Sequence, residues 1–152
     1  FALQATVIRE GEHRKIPSVE VVRGDLLVLS EGERIAADGW LVEAESLNAD
    51  ESVLTGESVP VLKRALSAAE EPDDAPMPGG DGLAYAFSGT LVVRGSAVME
   101  VAATGARSRI GGIGASLAGL ETDAPRLRIQ TRRLVRWFAV IGAGVSVLAG
   151  LL

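Results

Sequence analysis

The chain has 152 residues, of which 47% are hydrophobic and 4% aromatic, and it contains no cysteine. This length suits one domain with a sizeable core, and the lack of cysteine excludes disulfides, thiolate metal sites and a cysteine nucleophile. The net charge is −5, but all 20 acidic residues lie at or before Asp123 and five of the 15 basic residues follow it. The acidic main part argues against nucleic acid as a partner, because phosphate contacts require positive charge.

Short apolar runs separated by polar turns fill the first 45 residues. Such a pattern predicts short strands with Gly-containing turns between them. Turns at this spacing favour a mainly β fold, a distorted, jelly-roll-like antiparallel β-sandwich, over a parallel sheet with helices. The predicted strands are 5–9, 14–16, 26–29 and 40–43.

Three aspartates accompany these turns. Asp25, Asp38 and Asp50 are interpreted as carboxylates that bind nearby backbone amides. A divalent-metal site made from the three is the less favoured alternative. We therefore predict no metal site in this part of the chain.

The stretch LNADESVLTGESVPV at residues 47–61 contains a tight turn between two apolar runs. Gly56 supplies the permissive backbone that such a turn needs. Thr55 and Ser58 carry short hydroxyl side chains that can hydrogen-bond locally. The turn would present the carboxylate of Glu57 at its tip. Without further context, the alternative is an ordinary acidic surface turn.

Residues 65–82 combine acidic side chains with prolines and glycines. A segment of this composition cannot bury enough apolar surface to fold on its own. We predict a mobile, solvated loop between strands, and a regulatory or ion-sensing role is the less favoured alternative.

Strand patterns resume at residues 83–87, and residues 91–105 predict a β-hairpin. A C-terminal helix is predicted after Ser108, which is placed to cap it. Apolar residues then recur at helical spacing, and the glycines among them mean that packing must hold the helix. The apolar positions are Ile110, Ile113, Leu117 and Leu120.

Residues 123–136 carry five arginines, and residues 137–152 are almost wholly apolar. Arginines ahead of an apolar run mark the cytoplasmic side of a membrane helix, which needs about 20 residues. We predict one domain at 1–122, a basic linker at 123–136 and the start of a transmembrane helix at 137–152. The chain is then expected to be a fragment of a longer protein. A C-terminal helix packed on the domain is the alternative.

Several motifs, in order along the chain, resemble the actuator domain of P-type cation-transporting ATPases. They are VVRGDLL, EGERIAADG, DESVLTGESVPV, FSGTLVVRGSAVMEVAATG and SRIGGI. The resemblance runs from about residue 7 to residue 120 and is most like the P2, calcium pump-like, group. Ala36 stands where the family has proline, which predicts a looser turn. The linker APRLRIQ also departs from the family form TPLQxxL.

This resemblance implies a part of an ATP-driven pump that phosphorylates one of its own aspartates. In the family, the glutamate of the TGES loop positions the water that removes the phosphate. The implied roles are water positioning and general base for Glu57, and loop shape and docking for Thr55, Gly56 and Ser58. A carboxylate on a stiff loop can align a water and take its proton.

The resemblance also implies the partners: the phosphorylation and nucleotide-binding domains of the same chain, the membrane helices and the transported cation. ATP and Mg²⁺ would serve the full-length parent, and no cofactor would bind this fragment. The domain would be the cytoplasmic part of an integral plasma- or inner-membrane protein. Because the DKTGT phosphorylation motif is absent here, the fragment alone is not expected to be active. The alternative function is a membrane-anchored, non-catalytic β-sandwich interaction module.

Overall fold

The computed structural model describes residues 3–70 and 74–120, with side chains as far as residue 116. The chain divides into two compact units, Phe1–Ser116 and Leu117–Leu152, and the first contains all the strands of the described ranges. None of the described helices is long and apolar enough to cross a bilayer. The predicted linker at 123–136 and the predicted membrane helix at 137–152 lie outside the described residues.

Antiparallel strands dominate the described domain. They form a seven-stranded sheet in the order β2-β1-β3-β7-β4-β5, with β6 paired to β4. The prediction of a mainly β, antiparallel fold is therefore confirmed. In chain order the elements are β1 (Gln4–Arg9), β2 (Glu12–Pro17), a 3-10 turn (Ser18–Glu20), β3 (Leu26–Ser30), β4 (Asp38–Asp50), α1 (Ser52–Thr55), β5 (Val61–Leu62), β6 (Tyr85–Ala86), β7 (Leu91–Ala103), a second 3-10 turn (Gly105–Arg107) and α2 (Arg109–Leu120).

The core forms because alternate residues of the strands point to one side. In β3, Leu27 and Leu29 are buried while their neighbours are partly exposed, which is the period of two expected of a strand. The same alternation in β1, β4 and β7 supplies most of one contiguous cluster, which residues outside these strands, such as Ile35, complete. Its larger members include Val7, Leu27, Leu29, Ile35, Leu41, Leu47, Val92, Met99 and Val101.

The predicted hairpin at 91–105 was wrong, because β7 is one strand of 13 residues. Gly95 lies in its middle with φ of +84°, and its pairing with β4 shifts register at this point. A Cβ on Gly95 would clash with the carbonyl oxygens of Glu45 and Ser46, so only glycine allows the two backbones to approach this closely. The glycine therefore makes a bulge that bends the strand and does not reverse it.

β4 is also longer than predicted, since it runs from Asp38 to Asp50 and not only over 40–43. Leu47 and Ala49 are fully buried in its second half. The first residues of the DESVLTGES motif consequently follow directly from a strand of the sheet. This connection places the motif on a rigid element.

A buried carboxylate joins β4 to α2. Asp38 is 3% exposed and accepts hydrogen bonds from the backbone amides of Ser88 at 2.7 Å and Arg109 at 2.6 Å. Its amide partners lie 50 and 71 residues away along the chain, and not nearby as predicted. Ser108 caps the same helix, as predicted, because its Oγ accepts the amide of Gly111 at 3.2 Å. Burial raises the pKa of Asp38.

The other two aspartates bind local amides, as predicted. Asp25 accepts from the amide of Val22 at 3.0 Å and pairs with Arg9 through both carboxylate oxygens, at 2.9 and 2.6 Å. Asp50 accepts from the amide of Ser52 at 2.9 Å. Among residues 3–70 and 74–120, no group of three or more acidic or histidine side chains is placed to hold a metal ion.

Replacing Asp38 with alanine is expected to lower the free energy of unfolding by about 2–4 kcal/mol, because two backbone amides lose their acceptor. Asp38→Asn is the matched control and should cost less, since it keeps one acceptor oxygen. Urea unfolding of both variants measures the difference. A loss below about 0.5 kcal/mol for Asp38→Ala would contradict this role.

The hydrogen bond from Arg9 is the main cause that lowers the pKa of Asp25 below its ordinary 3.8. A carboxyl with a lowered folded-state pKa stabilises the fold above its unfolded pKa, and this contribution disappears as the pH falls through the folded value. Asp25→Asn is therefore expected to be less stable than wild type at neutral pH, with the difference shrinking below pH 3.8. Thermal unfolding over a pH series tests this, and a difference that is constant with pH would contradict it.

Candidate functional site

The segment that follows β4 forms a single helical turn before the predicted loop. α1 (Ser52–Thr55) ends at Gly56, whose φ of 77° is left-handed and whose amide donates to the carbonyl of Ser52 at 2.8 Å. Glycine is the usual residue for such a helix end. Sequence reasoning had predicted only a turn at 55–58 and missed this helix. Asp50 accepts the amide of Ser52 just ahead of this helix, but the N-cap residue is Glu51 and makes no side-chain cap hydrogen bond.

Thr55 fixes the exit from this helix through its hydroxyl group. Its Oγ1 donates to the carbonyl of Glu51 at 3.2 Å and accepts the amide of Glu57 at 3.1 Å. The backbone of Glu57 is thus tied to the turn that precedes it. Ser58 is exposed, and its side chain makes no hydrogen bond within the described ranges.

The carboxylate of Glu57 lies at the surface. In the described part of the chain, no donor lies within hydrogen-bonding distance of it and no basic side chain forms an ion pair with it. An exposed carboxylate without a partner of its own can contact the surface of another domain or protein. The structure brings together Thr55, Gly56 and Glu57 as one hydrogen-bonded turn, with Ser58 next to them.

A buried ion pair lies at the base of this turn. The Nζ of Lys63 is 2.5 Å from the Oε1 of Glu51, and the two side chains are 0% and 2% exposed. The two atoms form an ion pair without hydrogen-bond geometry, and neither has a hydrogen-bond partner within the described residues. The ammonium group also lies 5.3 Å from the centre of the Phe87 ring, close enough for a cation–π contact.

The second oxygen of Glu51 is satisfied from another part of the chain. Its Oε2 accepts the backbone amide of Gly79 at 2.6 Å. Glu51 therefore connects the start of α1 to the residue after β5 and to the segment 74–82. Sequence reasoning missed this centre. The alternation of a strand did indicate that Lys63 is buried, because it lies two residues after the buried Val61 and therefore on the same side of the strand.

The described part of the acidic loop is attached to the body of the domain. Besides the contact of Gly79, the Oδ1 of Asp81 accepts the amide of Leu62 at 2.9 Å. The guanidinium of Arg109 donates to the carbonyl of Pro76 at 2.9 Å. The prediction that residues 65–82 form a mobile loop stays a prediction, and so does the alternative of a regulatory or ion-sensing role.

The arrangement has a definite chemical capacity. An exposed carboxylate on a short braced turn can orient a water and accept its proton when a reactive phosphate is brought against it. Among the described residues, no group of three or more acidic or histidine side chains is placed beside Glu57 to hold a metal ion.

Comparisons with known proteins give a consistent result. A family model described as the P-type ATPase actuator domain matches residues 2–118. A calcium-transporting ATPase of Bacillus subtilis (strain 168) is 40% identical over 141 residues, covering 93% of this chain and 15% of the relative. A sodium/potassium exporting P-type ATPase of Saccharomyces cerevisiae is 42% identical over 115 residues, covering 76% of this chain and 10% of the relative.

Solved structures agree with this similarity. A crystal structure of a zinc-transporting PIB-type ATPase in the E2.Pi state has a TM-score of 0.60 and 28% sequence identity, covering 80% of this chain and 17% of that one. The chain thus spans about a sixth of the length of that protein, and 15% of the Bacillus relative.

Replacing Lys63 with methionine is expected to lower the free energy of unfolding by about 3–5 kcal/mol, because it leaves the carboxylate of Glu51 buried without its partner. Adding Glu51→Gln should restore part of the loss, since glutamine still accepts from Gly79 but carries no charge. Chemical unfolding of the single and double variants measures this coupling. Arg64→Met is the control: its ion pair with Glu70 is exposed and should matter far less. Equal losses for the two methionine variants would contradict the importance of burial.

Proposed function

The chain belongs to the P-type ATPase actuator-domain family, and on this premise we propose that it is the actuator domain of an ATP-driven cation pump. Its turn at 55–58 would position the water that hydrolyses the pump's aspartyl-phosphate intermediate. The sequence-based assignment to this family is confirmed. The curated relatives include calcium-transporting ATPases, in keeping with the predicted P2-like group.

The observation that carries the proposal is the placement of Glu57. Its carboxylate is exposed and unpaired among the described residues, yet its backbone is fixed by Thr55 and by the end of α1. A residue that must meet a phosphate on another domain requires both properties.

In the proposed reaction, the water oxygen attacks the phosphorus of the aspartyl phosphate as the bond from phosphorus to the aspartate oxygen breaks. The aspartate leaves as a carboxylate, and Glu57 accepts the proton of the water. Phosphoryl transfer has a loose transition state, so positioning and electrostatics make the main contribution. Thr55 and Gly56 shape the turn, and Ser58 is exposed for docking.

The partners follow from this role. The aspartate belongs to a phosphorylation domain of the same protein, and a nucleotide-binding domain supplies ATP with Mg²⁺. Movement of the actuator domain on the cytoplasmic side would act on the membrane helices and couple hydrolysis to cation transport. Family membership weighs against the alternative of a non-catalytic interaction module, and phosphoenzyme kinetics separate the two.

The test is Glu57→Gln in the full-length pump, phosphorylated with radiolabelled ATP and chased with unlabelled ATP. The phosphoenzyme should still form but decay about 10²-fold more slowly, because the water has lost its base. Glu31→Gln, an exposed carboxylate after β3, is the control and should decay like wild type. Unchanged decay in Glu57→Gln would rule out Glu57 as the hydrolytic residue. Absence of any phosphoenzyme in the wild type would argue against the pump.

A further inference from the structure

We propose that Gly79 is a positioning residue for this hydrolysis: the segment 74–82 braces α1 through Gly79 and thereby sets the position of Glu57. The inference rests on the proposed role of Glu57. It adds a residue that lies outside the DESVLTGES motif and inside a loop whose composition predicts no structural role.

Gly79 makes two contacts at the base of the catalytic turn. Its amide donates to the Oε2 of Glu51 at 2.6 Å. Its φ is +93°, and a Cβ built on it would lie 3.2 Å from the Cγ2 of Thr55. A side chain at this position would therefore strain the backbone and press on Thr55. The glycine sits against the very residue that orients the amide of Glu57.

The contact between Gly79 and Thr55 affects Glu57 through the hydroxyl group of Thr55. The Oγ1 of Thr55 accepts the amide of Glu57 at 3.1 Å, and Thr55 is the last residue of α1. A push on the Cγ2 methyl group turns or shifts this side chain and so moves the hydroxyl that holds Glu57. Because a nearly aligned water is sensitive to small displacements, a shift of a few tenths of an ångström in Glu57 affects the reaction.

The segment itself is anchored on both sides of Gly79. Pro76 accepts a hydrogen bond from the guanidinium of Arg109 at 2.9 Å, and Asp81 accepts the amide of Leu62 at 2.9 Å. With both flanks attached, the segment cannot simply move away from a larger residue at position 79. Thr55 must give way, and the displacement is passed to the catalytic turn.

The chain provides a matched control in Gly82. This glycine lies in the same segment with a φ of +72°, but no atom lies within 4 Å of a Cβ built on it. Alanine at either position carries the backbone strain of a left-handed conformation. Only the alanine at position 79 meets Thr55. A difference between the two variants therefore reports the contacts of position 79 with Glu51 and Thr55.

The experiment measures phosphoenzyme formation and decay in the full-length pump for Gly79→Ala, Gly82→Ala and Glu57→Gln. We expect Gly79→Ala to form phosphoenzyme from ATP at the wild-type rate and to lose it about tenfold more slowly. Gly82→Ala should stay within about twofold of wild type. In the Glu57→Gln background, Gly79→Ala should add little, because the two changes act on one step.

A second variant tests the steric route directly. Thr55→Ser keeps the hydroxyl and removes the Cγ2 methyl group that faces Gly79. Added to Gly79→Ala, it should restore decay to the rate of Thr55→Ser alone. A role of Gly79 in general stability would not produce this rescue. Thermal unfolding of the two alanine variants accompanies the kinetics as a check on folding.

The outcomes separate the two proposals. If Glu57→Gln slows decay but Gly79→Ala behaves like Gly82→Ala, the positioning role is overturned and the proposed function stands. A slow Gly79→Ala variant that Thr55→Ser does not rescue also overturns it. If Glu57→Gln decays like wild type, the proposed function itself fails, whatever Gly79→Ala does.

Discussion

The placement of the turn at 55–58 depends on the buried ion pair between Glu51 and Lys63. Two charges removed from water are tolerated only because they meet at 2.5 Å. Glu51 immediately precedes α1, Lys63 follows β5, and the amide of Gly79 binds the remaining carboxylate oxygen. One buried carboxylate thus fixes three segments that are distant in sequence. A single turn of helix such as α1 has no stability of its own, so it relies on this external support.

An ion pair fixes the position of α1 more specifically than an apolar contact would, although it adds less net stability. Apolar side chains pack in several ways at similar free energy, whereas any shift that separates Glu51 from Lys63 leaves a charge unpaired in a dry environment. The pair therefore specifies one geometry. Glu57 shows the opposite arrangement six residues later, with an exposed carboxylate that has no partner in the described part of the chain. The buried carboxylate of Glu51 sets the position of the turn, and the exposed carboxylate of Glu57 is available for chemistry.

The strand spacing was enough to predict a mainly β, antiparallel fold, whereas the helical turn α1 was missed. The turn at Asp25 and the cap at Ser108 depend on neighbouring residues, so the sequence carried their information. Residues 91–105 were predicted as a hairpin because a turn and a bulge use the same residue types. Gly95 instead forms a bulge against the backbone of Glu45 and Ser46 on β4, a contact that no local pattern reveals. The motif also placed Glu57 at the exposed end of its turn, and the role of this residue stays a proposal. Its support by Lys63 and Gly79 was missed, since both residues lie in other segments.

The segment 74–82 shows what composition does and does not say about a loop. Few apolar residues and many charges mean that it cannot build a core of its own, but they do not prevent it from attaching to a core built by others. Its attachments are backbone groups and one aspartate, which need no hydrophobic side chain. Glycine at position 79 then allows the backbone to touch Thr55 directly. In the proposed reaction, a turn that is already ordered would lose no further ordering entropy when the phosphate arrives. A loop with little stability of its own can in this way add rigidity to the turn at 55–58.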